Sequence, residues 1–308
     1  MAAGKGRRVT GHLIHIGYPK TGSNYLRNWF ARHPQLGYAD GGIAGFQNVY
    51  AMVRDSARFD PAPLYRVTSA EGFATPHGSF GLARVDLEAM RRQPMAPAQA
   101  AACALLADVF PDARILIVTR GFRAAALSAY SQHIRVGGHL PIRDFCGQGV
   151  GESPWDYDVL IRRYRAAFGD ANVLVLPYEL LRDDPRAFLR AISEPLGLDE
   201  IAIPAERANP SLSPAELVWY GRIARLLDRL PIPGRLWHIT QRLWPRISQQ
   251  NRLRGPIALL QWLFRAAPIT ESDLTDQVIA SWIFPPESLR DDPHYRPYLR
   301  DYFLDRAR

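Results

Sequence analysis

Lys20, Thr21, Gly22 and Ser23 stand in a row that can grip a tetrahedral anion: one ammonium, two hydroxyls, and a glycine at which the backbone can turn sharply. They come directly after the apolar run at residues 13–16 and directly before a helical pattern that continues through Asn24 and Tyr25. A strand ending in such a turn aims backbone N–H groups and the positive end of the next helix at a bound anion. Lys20 adds a formal charge. The spacing differs from the common nucleotide loop, which needs glycine, four residues and then Gly-Lys-Ser/Thr. Here the lysine precedes the turn and the hydroxyls follow it. Taken alone, the segment also reads as an ordinary strand-to-helix turn with a surface lysine.

A second segment points the same way. Residues 114–119, Arg-Ile-Leu-Ile-Val-Thr, form an unbroken aliphatic and β-branched run bounded by turn residues, the pattern of a buried parallel strand. An alanine-rich helical pattern follows. Arg120 therefore falls at the C-terminal end of a strand, on the edge where ligands of open α/β sheets collect. Ser128 is eight residues on, about two helical turns at 3.6 residues per turn. An arginine fork and a serine hydroxyl suit a phosphate monoester, the arginine giving charge-assisted bonds.

Together these segments resemble the sulfotransferases that use 3′-phosphoadenosine 5′-phosphosulfate (PAPS) and release adenosine 3′,5′-bisphosphate (PAP). Residues 18–23 match the loop that binds the 5′-phosphosulfate in that family, and Arg120 with Ser128 matches the pair that binds the 3′-phosphate. A third segment, strand-like residues 173–177 followed by Tyr178-Glu179, looks like the family's strand and Tyr-Glu turn, where the tyrosine packs near the adenine. The likeness covers roughly residues 10–200. It implies that Lys20 neutralises charge on the bridging oxygen as the bond breaks. Thr21, Gly22, Ser23 and Asn24 would hold the 5′-phosphate, with Tyr25 close by. Asn24 and Tyr25 depart from the Thr and Trp common in the cytosolic members, which puts the details of phosphate and adenine contact in question.

An acceptor hydroxyl needs a base. Glu71, closing a strand on the sheet edge that carries Lys20, is the first candidate and would otherwise be a capping or surface carboxylate. His77, in Pro-His-Gly, is its rival. The acceptor itself, whether a carbohydrate, a glycolipid or another metabolite, leaves no motif.

The elements that must position these groups alternate. Strand patterns at 13–18, 64–69, 114–119 and 173–177 are interleaved with helical patterns near 22–33, 97–109, 121–135, 156–168 and 185–196. Such alternation implies crossover units and a parallel sheet. The expected fold is α/β, three layers of helix, parallel sheet and helix of the P-loop NTPase-like type, with a cofactor-binding core at about 10–204. A helical C-terminal part at about 205–308 completes a single domain.

The chain of 308 residues is 47% hydrophobic, enough for a large core, and its formal charge of +8 attracts anions without naming them. Arginine is dispersed along the chain, which argues against a nucleic-acid partner, whereas the Trp- and Arg-rich helical part leaves peripheral contact with a lipid surface open. No apolar stretch reaches the length of a membrane span, and residues 1–8 lack the apolar segment of a secretory signal. These observations place the chain in the cytoplasm. Cys103 and Cys146 have no Cys-x-x-Cys spacing and read as buried free thiols, and the eight histidines form no metal motif, so no metal is expected. Two other readings compete. A phosphotransferase on a modified phosphate loop would want an Asp at a strand end to hold magnesium, where Arg120, Glu71 and Tyr178 stand instead. A basic membrane- or nucleic-acid-binding protein without enzymatic activity would leave Lys20, Arg120 and Ser128 unexplained.

Overall fold

The computed structural model describes residues 11–38, 63–75, 95–135, 137–147, 155–202, 212–229 and 253–303. They belong to two compact units whose boundary is not a single point in sequence. The first comprises residues 1–121, 152–208 and 284–305, and the second 122–151, 209–283 and 306–308.

The first unit is built on a five-stranded, wholly parallel sheet of β1 (Gly11–Gly17), β2 (Leu36–Gly37), β3 (Tyr65–Ala70), β4 (Arg114–Thr119) and β5 (Val173–Pro177), in the order β2-β3-β1-β4-β5. Period-two alternation sorts its side chains onto two faces. Leu13, Val67, Leu116, Val118 and Leu176 meet α1 (Ser23–Arg32) and a helix at Pro185–Leu196 through Leu26, Trp29, Phe30, Phe188, Leu189 and Ile192. The intervening residues Ile14, Ile16, Ile115, Ile117 and Val175 are equally buried and point to the opposite face. There α2 (Met95–Val109) packs on a helix at Tyr157–Phe168, which lies against β4 and β5. Burying both faces explains why these strands are continuous aliphatic runs, and the result is the expected three layers.

The chain leaves β1 for β2 and β3 on one side, then crosses over β1 to reach β4 on the other. That reversal creates a crevice at the C-terminal edge of β1 and β4, the place where open α/β sheets bind ligands.

The second unit contains α3 (Phe122–Arg135), α4 (Ile142–Gly147) and, beyond α5 (Tyr157–Phe168), α6 (Tyr178–Asp183) and α7 (Pro185–Leu196) of the first unit, α8 (Pro214–Arg229) and α9 (Arg254–Phe264). Trp219 of α8 donates to Gln261 Oε1 of α9 at 2.8 Å, and Arg225 donates to the His139 carbonyl at 2.9 Å. Trp282 donates to the Cys146 carbonyl at 3.1 Å, and Arg123 pairs with Asp276. Cys103 and Cys146 are buried thiols outside any disulfide, and burial pushes both up to about 11. Among the described residues no helix is long and apolar enough to cross a membrane, and no group of three His, Cys, Asp or Glu side chains is placed to hold a metal ion.

Candidate functional site

The loop after β1 is shaped by its own backbone. Gly22, the residue preceding α1, sits at φ 81, and a Cβ there would stand 2.5 Å from Leu181 Cδ2, so both conformation and space demand glycine. Lys20 also adopts a left-handed conformation, at φ 66. A non-glycine residue in that region stores about 1 kcal/mol of strain or more. Thr21 fixes the shape: its N–H and its hydroxyl both donate to the Tyr18 carbonyl, at 3.3 and 2.7 Å, and the residue is fully buried. The Thr21 hydroxyl therefore helps to close the turn. Lys20 is exposed at the rim.

The first intrahelical bond of α1 runs from Leu26 N–H to the Gly22 carbonyl at 3.0 Å, no side chain caps the helix, and its first turn has no acidic residue. The N–H groups at the start of the helix are thus left for an anion. Ser23 is buried, and its Oγ has no hydrogen-bond partner. Beside it lies His15, whose Nδ1 pairs with Ser69 Oγ at 2.8 Å while its Nε2 is also without a partner. A Cβ on Gly17 would come within 2.9 Å of Ser23 Oγ and 3.0 Å of the His15 ring. Burial, helped by the charge of Arg27, lowers the His15 pKa to about 3 and keeps the ring neutral. Asn24 is exposed and accepts from Arg27 Nη1 at 3.4 Å. Tyr25 packs half-buried against the α1 side of the core.

Arg120 reaches this loop from β4. Its Nη1 donates to the Lys20 carbonyl at 2.7 Å across a separation of 100 residues, and its guanidinium lies 4.8 Å over the Tyr178 ring. Tyr178, at the start of α6, is also about van der Waals distance from Gly22, whose hypothetical Cβ would be 3.4 Å from Tyr178 Cε2. The three segments singled out in the sequence therefore converge at the ends of β1, β4 and β5.

Behind Arg120 is a buried polar brace that the motifs do not announce. Tyr157 OH donates to the Arg120 carbonyl at 2.6 Å and accepts from the Arg120 N–H at 3.3 Å. Glu179 is 1% exposed: its Oε1 accepts from the Gly121 N–H at 3.0 Å and its Oε2 from Tyr302 OH at 2.8 Å. Thr119 Oγ1 pairs with the hydroxyls of Tyr295 and Tyr302 at 2.7 and 3.0 Å. Burial raises the Glu179 pKa, partly offset by the Gly121 and Tyr302 hydrogen bonds. Glu179 was visible only as an acid after a strand. Tyr295 and Tyr302 carried no local signal at all.

Glu71 opens a single 3-10 turn, Glu71–Phe73, at the end of β3. Ala70 is in register with Ile16, so Glu71 stands on the same sheet edge as the loop. Its backbone carbonyl accepts from Thr75, and its carboxylate has no hydrogen-bond or ion-pair partner among the described residues. Ser128 is buried on α3, in the second unit. His77 lies outside the described residues.

The sequence profile of the Sulfotransferase family matches residues 13–201. No curated protein matches the chain. Solved structures of similar fold include a sulfotransferase from Alicyclobacillus acidocaldarius, at 18% identity and TM-score 0.43, covering 75% of this chain and 100% of that one. A mouse sulfotransferase complexed with PAP is 16% identical with TM-score 0.37, covering 73% and 67%. A sulfotransferase from Mycobacterium avium is 13% identical with TM-score 0.34, covering 73% and 70%. Likenesses this distant carry no weight in assigning the chain, whereas the profile runs from β1 through α7 and takes in the loop, Arg120 and Tyr178. On that match, over more than half of its length, the chain belongs to the sulfotransferase family.

Proposed function

We propose that the chain transfers a sulfuryl group from PAPS to a hydroxyl of a small metabolite, glycan or glycolipid, in the cytoplasm. The observation that carries this reading is the contact of Arg120 with the Lys20 loop over the Tyr178 ring. It supports a nucleotide with phosphates at both ends of its sugar, one at the loop and one within reach of an arginine fork, with an aromatic face between. The partnerless Ser23 Oγ and the uncapped start of α1 fit a phosphate at the loop.

In this reading PAPS supplies the activated sulfuryl group, and the protein supplies placement and charge, as in phosphoryl transfer. The α1 N–H groups and Ser23 hold the 5′-phosphate, and Asn24 and Tyr25 flank it. Arg120 takes the 3′-phosphate, and Tyr178 receives the adenine. Glu71 accepts the proton of the acceptor hydroxyl as its oxygen bonds to sulfur. Lys20 stabilises the negative charge left on the phosphate oxygen as the old S–O bond breaks. His77 is the alternative base. The buried thiols Cys103 and Cys146, outside any disulfide, are compatible with a reducing compartment. The test is titration calorimetry with PAP, followed by transfer of radiolabelled sulfate from PAPS to an acceptor library. Binding by the native chain, its loss in Arg120→Ala and the loss of transfer in Lys20→Ala are expected. No heat with PAP at millimolar concentration would end the reading.

A further inference from the structure

The helix α9 has its polarity inverted for a surface helix. Leu259, Trp262 and Leu263 occupy one face by their i, i+3 and i+4 spacing, and they are 57%, 72% and 55% exposed. The opposite face is the one that packs: Ile257 is buried, and Gln261 accepts from Trp219 of α8. Phe264, at the end of the helix, is 65% exposed although its ring approaches Trp219 at 5.8 Å. Between its first residue, Arg254, and the residue after it, Arg265, the helix carries no charge, so nothing polar relieves the apolar face. Four of the exposed large apolar side chains of the described residues thus fall within six consecutive positions.

The sequence around this helix decides what can cover it. From Arg229 to Thr270 there are seven arginines and no Asp, Glu or Lys, with tryptophans at 237, 244 and 262. A second copy of the chain would bring the same helix, with exposed Arg254 and Arg265 at its two ends and no acid between them, against this one, because a two-fold interface sets the same patch against itself. Such an interface would repel itself. An anionic bilayer has the complementary charge, and each arginine near its surface gains about 1 kcal/mol. Tryptophan and leucine on a helix lying in the interface supply the apolar part, and exposed aromatic side chains favour headgroup depth.

We propose that α9 docks the protein on an anionic membrane surface, inserting Leu259, Trp262 and Leu263 at headgroup depth while Arg254 and Arg265, exposed at its two ends, engage lipid phosphates and carboxylates. The inference rests on the second unit alone and stands whether or not the chain transfers sulfate.

The test uses the full chain in co-sedimentation with vesicles of phosphatidylcholine alone or containing phosphatidylserine, at low and high salt. The expected result is binding to the anionic vesicles, weakened by salt, with a blue shift of tryptophan emission. The variant Leu259→Gln/Trp262→Gln/Leu263→Gln changes only exposed positions to a good helix former. It is expected to lower binding by about tenfold or more, the factor that about 1.4 kcal/mol represents, with the far-ultraviolet circular dichroism unchanged. No binding to anionic vesicles, or equal binding by the triple variant, overturns the proposal. So does a dimer in light scattering that the triple variant abolishes while vesicles leave it intact, which would assign the face to a second copy.

Discussion

Removing the Tyr302 hydroxyl tests the brace behind Arg120. Tyr302→Phe deletes the O–H that donates to Glu179 Oε2 at 2.8 Å and leaves the ring in place. Thr119 keeps its bond to Tyr295 at 2.7 Å, and Gly121 N–H keeps its bond to Glu179 Oε1 at 3.0 Å, so the loss falls mainly on the carboxylate. A hydrogen bond to a charged, buried group is worth about 1.5–3 kcal/mol. With about 2 kcal/mol of stabilisation removed from the charged form, the substitution should raise the Glu179 pKa further. The sign follows from linkage. Burial already holds this carboxyl above its ordinary value, so the folded state binds its proton more tightly than the unfolded state. The charged form is the one that Tyr302 stabilises. The penalty of Tyr302→Phe is therefore greatest above the raised pKa and shrinks as the pH falls through it. Urea unfolding followed by tryptophan fluorescence at pH 7.5 and pH 5 measures this. We expect about 2 kcal/mol at the higher pH, visibly less at the lower, and a smaller penalty at neutral pH in a Glu179→Gln background. A penalty below about 0.5 kcal/mol, or one independent of pH and of Glu179→Gln, would refute the reasoning.

Lys20→Ala should lower kcat by about 10²- to 10³-fold, the usual effect of losing one donor to developing charge, in single-turnover transfer from PAPS. Glu71→Gln should reduce kcat by about 10²-fold or more with little change in PAP affinity; if calorimetry shows PAP binding lost instead, Glu71 is not the base. Gly22→Ala should cost about 1–2 kcal/mol for the left-handed backbone and more for the approach to Leu181, read as a lower urea midpoint together with lost PAP binding. His15 has a pKa near 3 in the fold, so the unfolded chain takes up a proton there first as the pH falls below the ordinary 6.5. That contributes about 3 kcal/mol of lost stability by pH 4, and His15→Asn should flatten the unfolding free energy over this range.

The sheet was legible where burial on both faces forced unbroken aliphatic runs: residues 114–119 and 173–177 coincide with β4 and β5. The patterns at 13–18 and 64–69 mark β1 and β3 to within two residues at either end, since Tyr18 leaves the ladder to stack on Trp155 at 5.1 Å. The two-residue β2 and the short α6 left no periodicity to read. The same divide runs through the site. Lys20, Gly22 and Arg120 were recognisable because their chemistry is set by position relative to a single strand end. Glu179 takes its donors from residues 58 and 123 positions away, and no window along the chain contains that relation.

The brace also fixes an order of events during synthesis. A ribosome that has delivered β1, β4 and β5 has yet to deliver Tyr295 and Tyr302, which belong to the same unit as the sheet although residues of the other unit are translated between them. Until they emerge, the Glu179 carboxyl lacks the phenol that steadies its charge. The strand end bearing Arg120 is therefore latched last, by contacts spanning up to 183 residues, and long-range closure of this kind is slow. Termination anywhere between residues 284 and 294 would yield a polypeptide with the whole sheet and no latch.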